Sequence, residues 1–172
     1  IIRGVILVFL GLVYNGLLRF DFAGQRYASV LGRIGLAWMF AALIFMNTKV
    51  IWRSVIVTVI LLGYWLLLAT VTAPDAPAGA DGYSMTGSIV GYVDRILLPG
   101  RLYLEVHDPE GILSTIPAIA TALLGMLTGE FILFKNNKLT PYVRTMIFFG
   151  AGVLLMVIGK VWGLTSPVNK NL

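Results

Sequence analysis

Ser54-Val55-Ile56-Val57-Thr58-Val59-Ile60-Leu61-Leu62-Gly63-Tyr64-Trp65-Leu66-Leu67-Leu68-Ala69-Thr70-Val71-Thr72 is a run of about 19 residues without one charge. At 1.5 Å per residue it is long enough, as a helix, to approach the thickness of a hydrocarbon layer of roughly 30 Å. Apolar stretches of the same kind lie on both sides of it. Residues of about 34-46 precede it across the short turn Asn47-Thr48-Lys49, and a first stretch of about 4-18 sits between Arg3 and Arg19. Downstream, about 112-134 and 142-162 complete a set of five expected spans. The expected fold class is therefore all-α, a polytopic transmembrane helical bundle forming a single membrane domain over residues 1-172.

Composition agrees. Of the 172 residues 58% are hydrophobic and only 12% charged, about half the charge of an ordinary soluble domain. The net charge of +5 does not point to nucleic acid, because the Lys and Arg residues sit at the ends of apolar runs, where they anchor helices in lipid. Lipid is the expected solvent and partner. With no cysteine, disulfides, thiolate chemistry and Cys-ligated zinc are excluded. A single histidine with scattered carboxylates lacks metal-ligand spacing, so no metal is expected. The first apolar run has no small-residue cleavage site, and the chain reads as one entered in its middle.

Between residues 73 and 111 the composition changes. Pro74 to Gly82 is rich in Pro, Gly, Ala and Asp and buries little, while Ile89 to Val106 mixes apolar and charged residues and reads as a short surface helix. Short connections decide orientation under the positive-inside rule, and they place the Lys49 and Lys135 turns in the cytoplasm. Loop 73-111 is then extracytoplasmic. Within the helix of about 112-134, Pro117 falls in the first turns, and Ala118, Ala122, Gly125 and Gly129 form a seam of small residues expected to put this helix at the centre of the bundle.

Polar residues of both signs converge at the outer mouth. Asp108 stands where an N-cap of the fourth span would be, so capping competes with a binding role for it and for Glu110. Asp94 and Arg95 are either an exposed ion pair or a pair turned toward a polar substrate. His107, the only imidazole, reads as an interfacial hydrogen-bonded residue rather than a catalytic base, since no nucleophile accompanies it. Glu130, close to Lys135, is a snorkelling acid or a buried proton carrier, and Asn15 near the end of the first helix is equally open. No P-loop, G-x-S-x-G, H-E-x-x-H or dinucleotide-binding glycine pattern is present.

Three ordered motifs carry a resemblance. They are Gly91-Tyr92-Val93-Asp94-Arg95-Ile96-Leu97-Leu98-Pro99-Gly100-Arg101-Leu102-Tyr103, then Asp108-Pro109-Glu110-Gly111-Ile112-Leu113-Ser114-Thr115-Ile116-Pro117-Ala118-Ile119-Ala120, then Pro167-Val168-Asn169-Lys170-Asn171-Leu172. Together they resemble the heparan-α-glucosaminide N-acetyltransferase family and its bacterial relatives. Val30-Leu31-Gly32-Arg33-Ile34-Gly35 is similar to another family segment, with Ser29 where the family has Gly and Gly32 where it has Gln.

The resemblance implies a bacterial inner-membrane acyltransferase of ten or eleven helices, of which this chain is the middle portion. It implies acetyl-CoA as the cytosolic acyl donor, a glucosamine-type amino sugar as acceptor on the outer face, and a homodimer. The family's catalytic His lies upstream, so no catalytic residue is assigned within this chain. Asp94, Arg95, Asp108, Glu110, Asn169 and Lys170 are the expected sugar-site residues, and Arg33, Lys49 and Arg53 the expected cations for the CoA phosphates. The alternative is a transporter component without acyl chemistry, using Glu130 or Asn15 as polar lining, although no internal repeat is visible.

Overall fold

The computed structural model describes residues 1-133 and 140-164. Among these the chain is all-helical, in the order α1 (Ile2–Tyr14), a 3-10 turn (Leu17–Arg19), α2 (Val30–Asn47), α3 (Val50–Thr70), α4 (Ile89–Leu97), α5 (Ile112–Leu133) and α6 (Pro141–Trp162). Helices α2, α3, α5 and α6 are each long and apolar enough to cross a membrane. Their exposed side chains are those a lipid solvent accepts: Ile34, Phe40, Val59, Leu62 and Leu66 on α2 and α3, and nearly the whole of α6, in which no residue is buried.

Local chemistry explains the boundaries. Helix α2 begins four residues earlier than the apolar run suggests, because the Ser29 hydroxyl caps it, accepting the Gly32 N–H at 2.9 Å. Thr140 and Pro141 start α6 by the same logic of cap and N1 proline. The first span requires correction: α1 covers 13 residues and stops at Tyr14, short of the expected Leu18. Gly16 takes a left-handed conformation that the helix cannot follow, and Leu17–Arg19 forms a 3-10 turn. Helix α1 also lies alongside only part of α2, for Gly4 meets Gly35 and Gly11 meets Ser29 at distances no Cβ would allow.

Helix α5 is central, packing against α2, α3 and α4. The core is formed by Ala41, Val57, Ala120 and Leu123. That places α5 where the small-residue seam put it, but by a different face. Gly125 and Gly129 have nothing within 4 Å of an added Cβ, so the close approach expected there occurs instead between the glycines of α1 and α2. The surface helix expected within 89-106 is α4, which lies across the start of α5. Helix α6 meets the bundle by edges, Trp162 against Trp65 and Phe148 against Phe131, both T-shaped.

Candidate functional site

Two chain segments far apart in sequence build a polar mouth at the start of α5. Backbone pairing between Arg26 and Gly100 and the bond from the Arg101 N–H to the Gln25 carbonyl lay residues 25-26 beside 100-101. Gly100 permits this twice over, with φ +76° and a virtual Cβ only 2.2 Å from the Gln25 oxygen. Asn15, at the end of α1, fixes the same segment from beneath by donating to the carbonyls of Arg26 and Ala28 at 3.1 and 2.7 Å. Arg26 is thereby aimed at the turn before α5.

There it makes a bidentate pair with Asp108, at 2.7 and 2.6 Å, and also bonds Glu110. Its guanidinium lies 4.7 Å from the Tyr103 ring centre. Asp108 is fully buried and also accepts the N–H groups of Tyr103 and Glu110, at 3.1 and 3.0 Å. Burial pushes its carboxyl up, but the hydrogen bonds and charge of Arg26 prevail and hold it below the ordinary value. The bond to Asp108 raises the Arg26 guanidinium in turn. Arg33, one turn into α2, grips the same turn through the carbonyls of Pro109 and Ser114, at 2.9 and 3.0 Å.

Asp108 therefore does not cap α5. Asp94 does so from α4, accepting the Ile112 N–H at 3.0 Å, with Gly111 pressed against its carboxylate. Asp94 and Arg95 are not a pair. Arg95 turns outward to Asp75, with contacts of 2.8 and 3.1 Å, and to the Val106 carbonyl, which draws the Pro-rich part of the loop into the structure. His107 is fully buried with Nδ1 4.0 Å from the Asp94 carboxylate, behind the mouth rather than facing it.

Burial pushes the Asp94 carboxyl up to about 6, with the Ile112 N–H opposing and the charge of Asp108 adding to the rise. A raised carboxyl binds its proton more tightly folded than unfolded. Its contribution to stability is therefore full below the ordinary 3.8 and is lost as pH rises through about 6. Acidification from pH 7 to pH 5 should stabilise the protein by about 1 kcal/mol through this group. Unfolding in detergent followed at both values checks it, and the gain should shrink in Asp94→Asn.

Below the mouth a cleft of about 670 Å³ opens between α2, α3 and α5. Arg33 and Glu110 stand at its polar end, and Ile34, Ala37, Trp38, Pro117, Ala118 and Ala122 give it apolar walls. Tyr64 enters from α3. Of the residues expected at the sugar site, Asp108 and Glu110 come together, whereas Asp94 is buried behind them and Arg95 points elsewhere. Asn169 and Lys170 lie outside the described residues. Among the three cations expected for CoA phosphates, Arg33 is at the mouth, in the first turns of α2 and roughly 20 Å along that helix from Lys49. Arg53 is enclosed, bonding Glu130 at 2.6 Å and the Phe45 carbonyl at 2.7 Å and lying over the Phe45 ring. Lys49 is exposed.

Glu130 is thus paired, but with Arg53. Sequence reasoning missed Arg26 and Tyr64 as members of the site. No group of His, Cys, Asp or Glu able to hold a metal ion occurs among the described residues.

The segments 91-103 and 108-120 meet residues 25-33 around one mouth. The chain is 30% identical over 149 residues to heparan-alpha-glucosaminide N-acetyltransferase of Homo sapiens, covering 70% of this chain and 22% of that protein. The chain is similar in sequence to that N-acetyltransferase. The Mus musculus heparan-alpha-glucosaminide N-acetyltransferase is 31% identical over 105 residues, covering 51% of this chain and 16% of its own length. This chain therefore spans about a fifth of the curated relatives it matches. No family model matches it. The relation to heparan-alpha-glucosaminide N-acetyltransferase, read first from three motifs, is shared by both relatives.

Proposed function

We propose that this chain is part of a transmembrane acyltransferase of ten or eleven helices. It moves an acetyl group from cytosolic acetyl-CoA to the amino group of a glucosamine-type sugar on the outer face. The observation that carries the reading is the placement of Glu110 and Arg33, residues of two motif segments, at the polar end of one cleft in a chain similar to an N-acetyltransferase. In this reading loop 73-111 is extracytoplasmic, the protein resides in a bacterial inner membrane, and lipid surrounds the bundle. Two copies associate.

Acetyl transfer requires the amine nitrogen to attack the thioester carbonyl carbon. The new C–N bond forms as the C–S bond breaks, the amine's proton passes to a base, and the thiolate leaves to become the CoA thiol. The base is the histidine that the resemblance implies outside residues 1-172. Within this chain Glu110 holds the sugar amine, and the Arg26–Asp108 fork holds Glu110 in place. At the cytoplasmic end Lys49 meets the CoA phosphates, Arg53 being engaged by Glu130.

The polar groups that a transport pathway would need are otherwise occupied. Asn15 is bonded to two backbone carbonyls and Glu130 to Arg53. Nothing among the described residues favours that second reading.

The test is Glu110→Gln in the longer natural protein, reconstituted with acetyl-CoA and glucosamine. Loss of one charged contact to the amine should cost about 10- to 100-fold in kcat/KM, mostly as a raised KM for the sugar. Unchanged transfer would remove Glu110 from the site, and a wild-type protein that transfers no acetyl group would overturn the functional reading.

A further inference from the structure

The Tyr64 hydroxyl is buried and makes no hydrogen bond among the described residues, yet its side chain lines the cleft that Arg33 and Glu110 close at the polar end. A buried hydroxyl without a partner is costly, because it has given up water and received nothing in exchange. Most polar side chains at this end of the bundle have partners. Arg26, Arg33, Asn15, Asp108 and Ser114 each bond to protein groups. Tyr64 is the hydroxyl in the cleft wall left to satisfy something that enters.

We infer that Tyr64 is a catalytic residue of the acetyl transfer, its hydroxyl donating a hydrogen bond to the thioester carbonyl oxygen as that oxygen becomes an anion. The inference rests on the proposed acyltransferase reading and adds to it the donor that the reaction needs. Three observations converge. Apart from Tyr64, Thr121 and the polar end formed by Arg33 and Glu110, the residues lining the cleft are apolar, Ala37, Trp38, Pro117 and Ala118 among them, so one hydrogen bond made inside it acts at low dielectric. Arg33 brings positive charge to the same cleft and has no carboxylate partner among the described residues, which favours an oxyanion. Glu110 stands at the same polar end, where it holds the attacking amine in the proposed arrangement. The electron pair of the attacking nitrogen enters the carbonyl carbon, the C=O pair moves onto oxygen under the Tyr64 hydroxyl, and it returns as the C–S bond breaks. Tyrosine keeps its proton throughout.

Tyr64→Phe in the longer natural protein tests this, because it removes the oxygen and little else. With acetyl-CoA and glucosamine, kcat should fall about 100-fold while the KM for the sugar changes less than about threefold. Thermal unfolding in detergent should show the variant at least as stable as wild type, since an unsatisfied hydroxyl has been removed. A loss of stability matching the loss of activity would make Tyr64 a structural residue and overturn the inference. So would an unchanged kcat in an active wild-type background. Wild-type protein without acetyl transfer would instead sink the acyltransferase reading itself, so the two failures are told apart.

Discussion

Replacing Arg26 by alanine is expected to cost about 3–5 kcal/mol of stability, the range for removing one partner of a buried ion pair. Asp108 has no exposed surface and depends on Arg26 for two of its hydrogen bonds. Without the guanidinium the Tyr103 and Glu110 N–H groups remain, but the charge loses its counterion in a site that excludes water. The carboxyl would then rise toward protonation, and Glu110 would lose the tether that aims it at the cleft. Chemical unfolding of the detergent-solubilised protein measures the loss, and Asp108→Asn in the same background should recover part of it. An Arg26→Ala protein as stable as wild type would show that the fork is a surface decoration.

Gly111→Ala is the second large effect. An added Cβ would stand 2.0 Å from one Asp94 carboxylate oxygen and 2.3 Å from its carbon, so the carboxylate must withdraw from the start of α5. Overpacking and loss of the cap on the Ile112 N–H together should cost about 2–4 kcal/mol. Because the displaced turn carries Asp108 and Glu110, binding at the proposed sugar site should weaken along with stability. Asp94→Ala, which makes room for the methyl, should render the second substitution nearly silent when the two are combined. Additive losses would mean that the contact between α4 and the turn is not what requires glycine.

The spans were legible because hydropathy alone separates them. The uncharged run ending near Thr72 forms α3, and the long apolar stretches on either side form α2, α5 and α6 within a few residues. Hydropathy carries the first span on to Leu18 because apolar Leu17 and Leu18 satisfy any window, while the left-handed turn at Gly16 that breaks the helix is a matter of backbone conformation. The surface helix was visible as mixed composition, and its site residues only in part. Asp108 and Glu110 advertise themselves by charge beside a helix start. Their partner Arg26 lies 82 and 84 residues away, and no local pattern distinguishes it from the anchoring arginines elsewhere. The capping of α5 by Asp94 is hidden for the same reason, since a cap supplied from another helix leaves no signature in the spacing. Tyr64 was hidden by its company, being one of two adjacent aromatics, with Trp65, in an uncharged span.

The two carbonyl bonds of Arg33 have an electrostatic meaning of their own. A guanidinium satisfied by peptide oxygens keeps its full formal charge, whereas one clasped by carboxylates is cancelled. An ammonium group entering the neighbourhood of such a cation is disfavoured relative to its deprotonated form. In the proposed function Arg33 would thus work against the carboxylate of Glu110 and favour the form of an arriving amine that has a lone pair to give.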